Sequence, residues 1–403
     1  MKILIVTPRI PYPPYRGDKL KIFNICKELS KKNKVKIISF VSSKSEQADL
    51  NELRKLNFDI EAVFLHRIKS LFSMSRFLFS SIPMQIFYYK SGKMHKKIYD
   101  LTTSNKYDVV YFHLINSAQY FQSVNNSNTL KVIDFTDATS LYLTRYTEFL
   151  KNPFRKLLFK LELKKVIEYE KVASNFDTLF VCSSVDKEFL LKENPRSNIR
   201  LLHNGFDTDT FRYEKTEHEK GRIIFSGNMT YFPNIDAVKY FAEEIFPLVV
   251  KKIPEAKFYI VGQKPPEEVL SLQSDNIIVT GFVEDIRKEY LLSEVNIAPI
   301  RFGSGTLNKI IEAISLGIPT VATNLSVQGF PEELKKYIYT ADSNEVFAKK
   351  VVDIMNNRSI KNYLLNEGIS EIRNKLSWNR IVEDLENYLS ERIKERAAKI
   401  SSR

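Results

Sequence analysis

Short apolar runs alternate with segments of helical spacing along most of this chain. Lys2–Val6, Val35–Val41, Val109–Phe112, Lys131–Phe135 and Thr178–Cys182 predict strands, and Lys19–Lys31 predicts a helix between the first two. Most of these runs are continuous rather than alternating, as in strands buried on both faces of a parallel sheet. The pattern then begins afresh. Arg222–Phe225, Lys257–Val261, Ile277–Val279 and Val295–Ile300 predict strands, and Ile235–Val250 and Arg287–Ser293 predict helices. Val346–Ile354 and Trp378–Glu395 predict two late helices, with Trp378 expected to anchor the last one in the core. Such alternation predicts an α/β protein with two parallel-sheet domains. The expected division is 1–206, a linker at 207–221 rich in Thr, Glu, Lys and His, a second domain at 222–375, and a C-terminal helix at 376–403 that packs back on the first domain.

The stretch from Ala298 to Thr323 carries the most chemistry. A strand ends, Gly303 and Gly305 open a turn, and Leu307, Ile310, Ile311 and Ile314 follow at helical spacing over Thr306–Leu316. Gly317 and Pro319 stop that helix before a further strand. A helix that starts after glycines aims bare backbone N–H groups and its positive dipole end at one point, which suits an anion such as phosphate. Lys309 and Glu312, three residues apart, share a face of this helix. A cation suits a diphosphate and a carboxylate suits the vicinal diol of a ribose. An ordinary strand–turn–helix unit whose glycines serve only the turn would read the same locally.

Composition narrows the setting. At 403 residues the chain has room for two full cores, and its 43% hydrophobic content is ordinary for a globular protein. Cys26 and Cys182, far apart, imply no disulfide framework and point to a reducing compartment. The first apolar run is too short for a signal peptide, and none approaches the roughly 18 residues of a membrane span. A cytoplasmic protein is expected. The net charge of +13 is segregated: residues 1–200 hold 34 Lys and Arg against 19 Asp and Glu, and the rest hold 27 against 29. Two stretches in that basic half, 67–97 and 151–171, are basic and apolar together. In the second, Phe154, Leu157, Leu158 and Leu161 follow helical spacing among Arg155, Lys156, Lys160, Lys164 and Lys165. That pattern suits an anionic bilayer surface, or a core-facing stripe with a solvated back. No nucleic-acid motif accompanies the charge, so nucleic acid is not an expected partner. The scattered histidines and cysteines predict no metal site.

Several stretches together resemble the GT-B glycosyltransferases of the large retaining family 4, in particular bacterial envelope-polysaccharide sugar transferases. They are the opening ILIVTPRIPYPPYRGDKLKIFNICKELSK, His113 after DVVYF, HNGFDTDTF at 203–211, FSGNMTYFPNIDAVKYF at 225–241, GFVEDI at 281–286 and GSGTLNKIIEA at 303–313. The resemblance implies two Rossmann-like domains facing across a cleft, with a nucleotide-sugar donor on the second and a glycan or lipid-linked acceptor on the first. It implies no cofactor or metal, and retention of anomeric configuration. Uracil is the default base, with guanine open. The resemblance places the ribose on Glu312 and the donor sugar by His113. It puts the base by backbone contacts at Phe282 and Val283, and the phosphates on Gly305, Thr306 and Leu307, with the Thr306 hydroxyl in addition and Asn308 supporting the loop. Gly17 would allow close backbone approach, and Arg16 would lie on the acceptor side.

The departures are specific. Ser304 stands where the family's first loop glutamate falls, and Gly227 and Asn228 open a donor-side loop that lacks the family's usual cations. Charge balance then assigns Arg301 and Lys309 to the leaving diphosphate. Asp134 and Asp137, after a strand, are candidates for a base or an acceptor contact, or for helix caps. No pair of carboxylates compels a covalent intermediate, which favours same-face attack. Two other readings stay open: a GT-B-like nucleotide-sugar-binding or regulatory protein without turnover, and a nucleotide-sugar epimerase.

Overall fold

In the computed structural model, residues 1–303, 305–357 and 364–401 are described, and they form two units. The first comprises Met1–Leu202 together with the chain from Val382 onward, and the second comprises His203–Ile381.

The first unit holds a seven-stranded sheet in the order β3-β2-β1-β4-β5-β6-β7. Its strands are β1 (Lys2–Thr7), β2 (Lys34–Val41), β3 (Asp59–Phe64), β4 (Val109–His113), β5 (Leu130–Thr136), β6 (Thr178–Val181) and β7 (Ile199–Leu201). The second holds a six-stranded sheet, β10-β9-β8-β11-β12-β13. Here the strands are β8 (Arg222–Ser226), β9 (Lys257–Val261), β10 (Ile277–Gly281), β11 (Val295–Ala298), β12 (Thr320–Ala322) and β13 (Ile338–Thr340). All pairings are parallel. Both sheets therefore repeat one Rossmann-like order, and each has a topological switch point, at β1/β4 and at β8/β11. Loops leaving the carboxyl ends of the two strands there diverge and open a crevice, the usual ligand position in such sheets.

The central strands match the continuous apolar runs: Ile3, Leu4, Ile5, Val109, Val110, Tyr111 and Phe112 are completely buried. β3, β7 and β13 were not expected from the sequence, and all three are edge strands. An edge strand is covered on fewer sides, so Asp59 and Glu61 are tolerated in β3 and the apolar signal fades. The helix expected over 235–250 is interrupted. It runs as Phe232–Tyr240, a wider turn at Phe241–Ile245 and a short helix Phe246–Val250 whose first turn takes Pro247, a residue without the N–H a continuous helix needs.

The chain divides after Leu202, so the HNGFD stretch and all of 207–221 belong to the second unit. Segment 207–221 is fastened there by Arg287–Glu214, at 3.1 Å, and by His218 Nδ1 against the Leu291 carbonyl at 2.8 Å. Trp378 is buried in the same unit, its ring packed so closely that a Cβ on Gly205 would lie 2.8 Å from it. Further along the helix Trp378–Ser401, Tyr388 meets Thr178 at 2.7 Å and Arg396 bridges both Asp177 oxygens at 2.8 Å, within the first unit.

Candidate functional site

At the β8/β11 switch point the second unit gathers a cation, a carboxylate and two glycine turns. Gly303 and Gly305 adopt positive φ of 148° and 79°, which favour glycine. The helix after them spans Asn308–Ser315, shorter at its start than expected, with Leu307 at the N-cap offering no side-chain cap. Asn204 fastens the turn from outside the helix. Its Nδ2 donates to Asn308 Oδ1 at 3.2 Å and to the Thr306 carbonyl at 3.5 Å, tying the loop to the HNGFD segment. Asn308 supports the loop in this way. Ser304 lies outside the described residues.

Lys309 is buried under the loop after β8. Its Nζ donates to Asn234 Oδ1 at 2.9 Å and sits 3.5 Å from the centroid of the Phe225 ring. Asn234 Nδ2 in turn donates to the Asn228 carbonyl at 3.0 Å. A Cβ on Gly227 would stand 2.7 Å from Asn234 and 3.1 Å from Lys309, so this glycine keeps the pocket open for the amide and the ammonium. Burial pushes Lys309 well below the ordinary lysine value, against the pull of Glu312. Glu312 is partly buried and accepts from the Tyr290 hydroxyl at 3.2 Å. Burial pushes its carboxyl up to about 7, against that hydrogen bond and the pull of Lys309.

Arg301 is engaged within its own unit. Nε and a terminal nitrogen grip the two oxygens of Asp236 at 2.9 and 2.5 Å, and the guanidinium lies 4.4 Å from the Tyr240 ring. A clamped arginine is a preorganised charge, and Asp236 cancels part of it. The Thr306 hydroxyl donates to the Gly329 carbonyl at 3.0 Å. Phe282 is exposed after β10, and Val283 packs beside Tyr290 and Leu291. One feature escaped sequence reading: a Cβ on Gly262 would lie 1.7 Å from the Gly227 carbonyl oxygen. The turns after β8 and β9 touch backbone to backbone, and only the sheet order makes them neighbours.

In the first unit the expected residues separate into supports and open positions. His113 ends β4 with 1% exposure, its Nε2 3.1 Å from the Asp18 carbonyl and its Nδ1 3.7 Å from Asp134. It therefore braces the first turn of the helix Gly17–Leu29. Asp134 lies beside it in the same interior. It has no exposed surface and is enclosed by Lys21 at 3.0 Å, the Tyr111 hydroxyl at 2.8 Å and the Thr136 N–H at 2.7 Å. Burial alone would raise its pKa, but Lys21 and its other partners hold it below the usual carboxylate range.

Asp137 accepts from the Cys182 thiol at 3.1 Å, and burial followed by the Asp186 carboxylate pushes it up to about 7. Against the sequence expectation, the structure does bring possible metal ligands together: ligand atoms of Asp137, Cys182 and Asp186 lie within 4.8 Å of one another. They are satisfied internally. Burial and then Asp137 keep the thiol protonated, and Asp186 accepts from the Ser183 hydroxyl and the Ala138 N–H. Arg16, by contrast, is half exposed with Nε 3.2 Å from Asp18, and a Cβ on Gly17 would meet nothing within 4 Å. Both stand at an open helix start.

The two basic stretches diverge in the structure. From Met84 on, the apolar residues of the first are core: Ile86, Phe87, Tyr89 and Met94 are buried. Its earlier part exposes Ile68, Leu71, Phe72 and Phe79, the last by 94%. The helix Pro153–Glu170 is inverted, exposing Phe154, Leu157 and Leu161 while burying Glu162, Val166 and Glu170. Glu162 accepts from the Met84 N–H at 2.8 Å, and Lys165 lies 4.4 Å from the Phe77 ring, so the two segments adjoin. No helix among the described residues is long and apolar enough to cross a membrane.

Two sheets of the same Rossmann-like order define the GT-B class of α/β fold, and solved structures match it over nearly the whole length. Sucrose-phosphate synthase from Thermosynechococcus elongatus matches with a TM-score of 0.69 at 12% identity, covering 98% of this chain and 100% of that one. TarM from S. aureus matches at 0.69 and 14%, covering 96% and 99%. Anabaena Alr3699/HepE, solved in complex with UDP, matches at 0.65 and 13%, covering 97% and 100%. Residues 220–357 match the family described as glycosyl transferases group 1, which supports glycosyltransferase activity. A Klebsiella pneumoniae protein described as an "uncharacterized 44.6 kDa protein in cps region" is 23% identical over 378 residues, 89% of this chain and 92% of that protein.

Proposed function

We propose that this protein is a glycosyltransferase that moves a sugar from a nucleoside-diphosphate sugar, UDP-linked, to a glycan or lipid-linked acceptor in envelope polysaccharide synthesis. The observation that carries the reading is the pairing of Lys309 and Glu312 on the helix behind the Gly303/Gly305 turn, at the switch point of the second sheet. Phosphates would sit over the helix start and the backbone N–H groups of Gly305, Thr306 and Leu307, with Lys309 beneath. The ribose diol would meet Glu312, and the base would lie along Phe282 and Val283. Arg301 would add charge from its Asp236 clamp. The group 1 match over these residues, the UDP complex of the Anabaena relative and the polysaccharide-region context of the Klebsiella relative all favour this reading.

The leaving diphosphate takes negative charge as the glycosidic bond breaks, and fixed donors stabilise it without reorganising. With retention by same-face attack, the departing phosphate itself accepts the acceptor's proton. No metal or cofactor is required for this scheme. The first unit would carry the acceptor, and the exposed apolar residues of 67–79 and 154–161, among Lys69, Arg76, Arg155, Lys156 and Lys160, would rest on the inner face of the cytoplasmic membrane.

Thermal stability of the purified protein against a panel of nucleoside diphosphates tests the donor site. A ligand at about 100 times its dissociation constant adds roughly 2.7 kcal/mol. A shift with UDP that Glu312→Ala abolishes is expected, and folded protein that responds to no nucleotide would defeat the reading.

A further inference from the structure

The first unit holds a cavity of about 290 Å³ outside the carboxyl ends of β1, β2 and β3. It is lined by Arg9, Arg16, Lys19 and Arg67 against a single carboxylate, Glu46. Two more acids stand near: Asp18, which pairs with Arg9 and Arg16, and Asp49, which attracts Lys19. Four cations against three anions leave the site one negative charge short, and a cleft lined by one sign of charge draws in the opposite one.

The arginines are held in position by their partners. Arg9 donates through Nε to the Tyr89 hydroxyl at 3.0 Å and through Nη1 to Asp18 at 2.5 Å. Arg67 donates through Nε to the Ser42 hydroxyl at 2.9 Å and reaches Glu46 at 3.5 Å. Arg16 uses only Nε, on Asp18, among the described residues. Each guanidinium thus keeps terminal N–H groups for a further acceptor. A fixed fork of donors matches the paired oxygens of a carboxylate or phosphate. The volume, at the lower end of small-molecule sites, suits one sugar-sized group rather than a chain.

We propose that this cavity receives an anionic sugar residue of the acceptor, its carboxylate or phosphate oxygens bound by Arg9, Arg16 and Arg67. The proposal rests on the transferase reading for the word acceptor, but the anion site itself stands on the first unit alone.

Calorimetric titration of the full chain with glucuronate, glucose 1-phosphate and glucose tests it, with UDP titrated into the same preparation. At least one anionic sugar is expected to bind and glucose is not, and the stronger of the two identifies the anion as carboxylate or phosphate. Arg16→Gln and Arg67→Gln should each weaken that binding about tenfold, as loss of a charge-assisted hydrogen bond does, and leave UDP binding unchanged. Glucose binding as well as the anions, variants that bind like the parent, or protein that binds UDP but neither anionic sugar would overturn the proposal. Binding of the anion without UDP would support it and count against the donor site instead.

Discussion

Lys309 and Glu312 stand one turn apart on one helix, and the same burial drives both toward their neutral forms. Lys309 has an amide and an aromatic face for company, and Glu312 has a tyrosine hydroxyl. Neither arrangement fully replaces water. Under the proposed function, a diphosphate beside Lys309 and a ribose beside Glu312 are the partners that would favour the charged forms.

The pH dependence of stability should reveal this. The Glu312 carboxyl rises from 4.5 in the unfolded chain to about 7 in the fold. The folded state then binds more protons between those values, so the contribution is fully present below the unfolded pKa and is lost as pH rises through about 7. Wild type should lose up to about 3 kcal/mol across that window relative to Glu312→Gln, which cannot titrate. Urea unfolding of both proteins on either side of the window measures the difference, and parallel curves would refute it.

Replacing Lys309 by methionine separates binding from folding. The ammonium is buried without an ion pair as close as 4 Å among those described, so an apolar chain of similar length should leave stability unchanged or raise it by about 1 kcal/mol. Affinity for UDP should fall by about tenfold or more. Unchanged affinity would remove Lys309 from the diphosphate site.

Two glycines should respond in opposite ways. Gly262→Ala drives a Cβ into the Gly227 carbonyl and should cost about 3 kcal/mol or more, since backbone must move. Gly17→Ala meets open space at a helix start and should be neutral or stabilising by about 0.5 kcal/mol. Chemical denaturation reads both.

Phe72→Ser combined with Phe154→Ser should abolish sedimentation with anionic vesicles while leaving the melting temperature within about 2 °C, because both rings are largely exposed. Equal sedimentation would discard this face as the membrane contact.

Much of the fold was legible because central strands are covered on both faces and must be written in continuous apolar residues. Lys257–Val261 was bounded correctly for that reason. Edge strands β7 and β13 are three residues each and escaped the same logic. In the second unit, the shared face of Lys309 and Glu312 was legible from their helical spacing. In the first unit, His113 and Asp134 looked available in the sequence and proved enclosed. For Asp134 this depends on Lys21, 113 residues away, whose ammonium enters the same interior.

The sequence by itself determined the two α/β units, the glycine turn and the face that carries Lys309 and Glu312, since these follow from periodicity and backbone freedom over a few residues. Only the tertiary structure decided that Asn204 braces the Gly303/Gly305 turn, that Gly262 abuts Gly227, that the helix Pro153–Glu170 turns its apolar side outward, and that Arg9, Arg16, Lys19 and Arg67 share one cavity. Each of those relationships joins residues brought together by strand order or by packing between helices, and neither is encoded in local spacing.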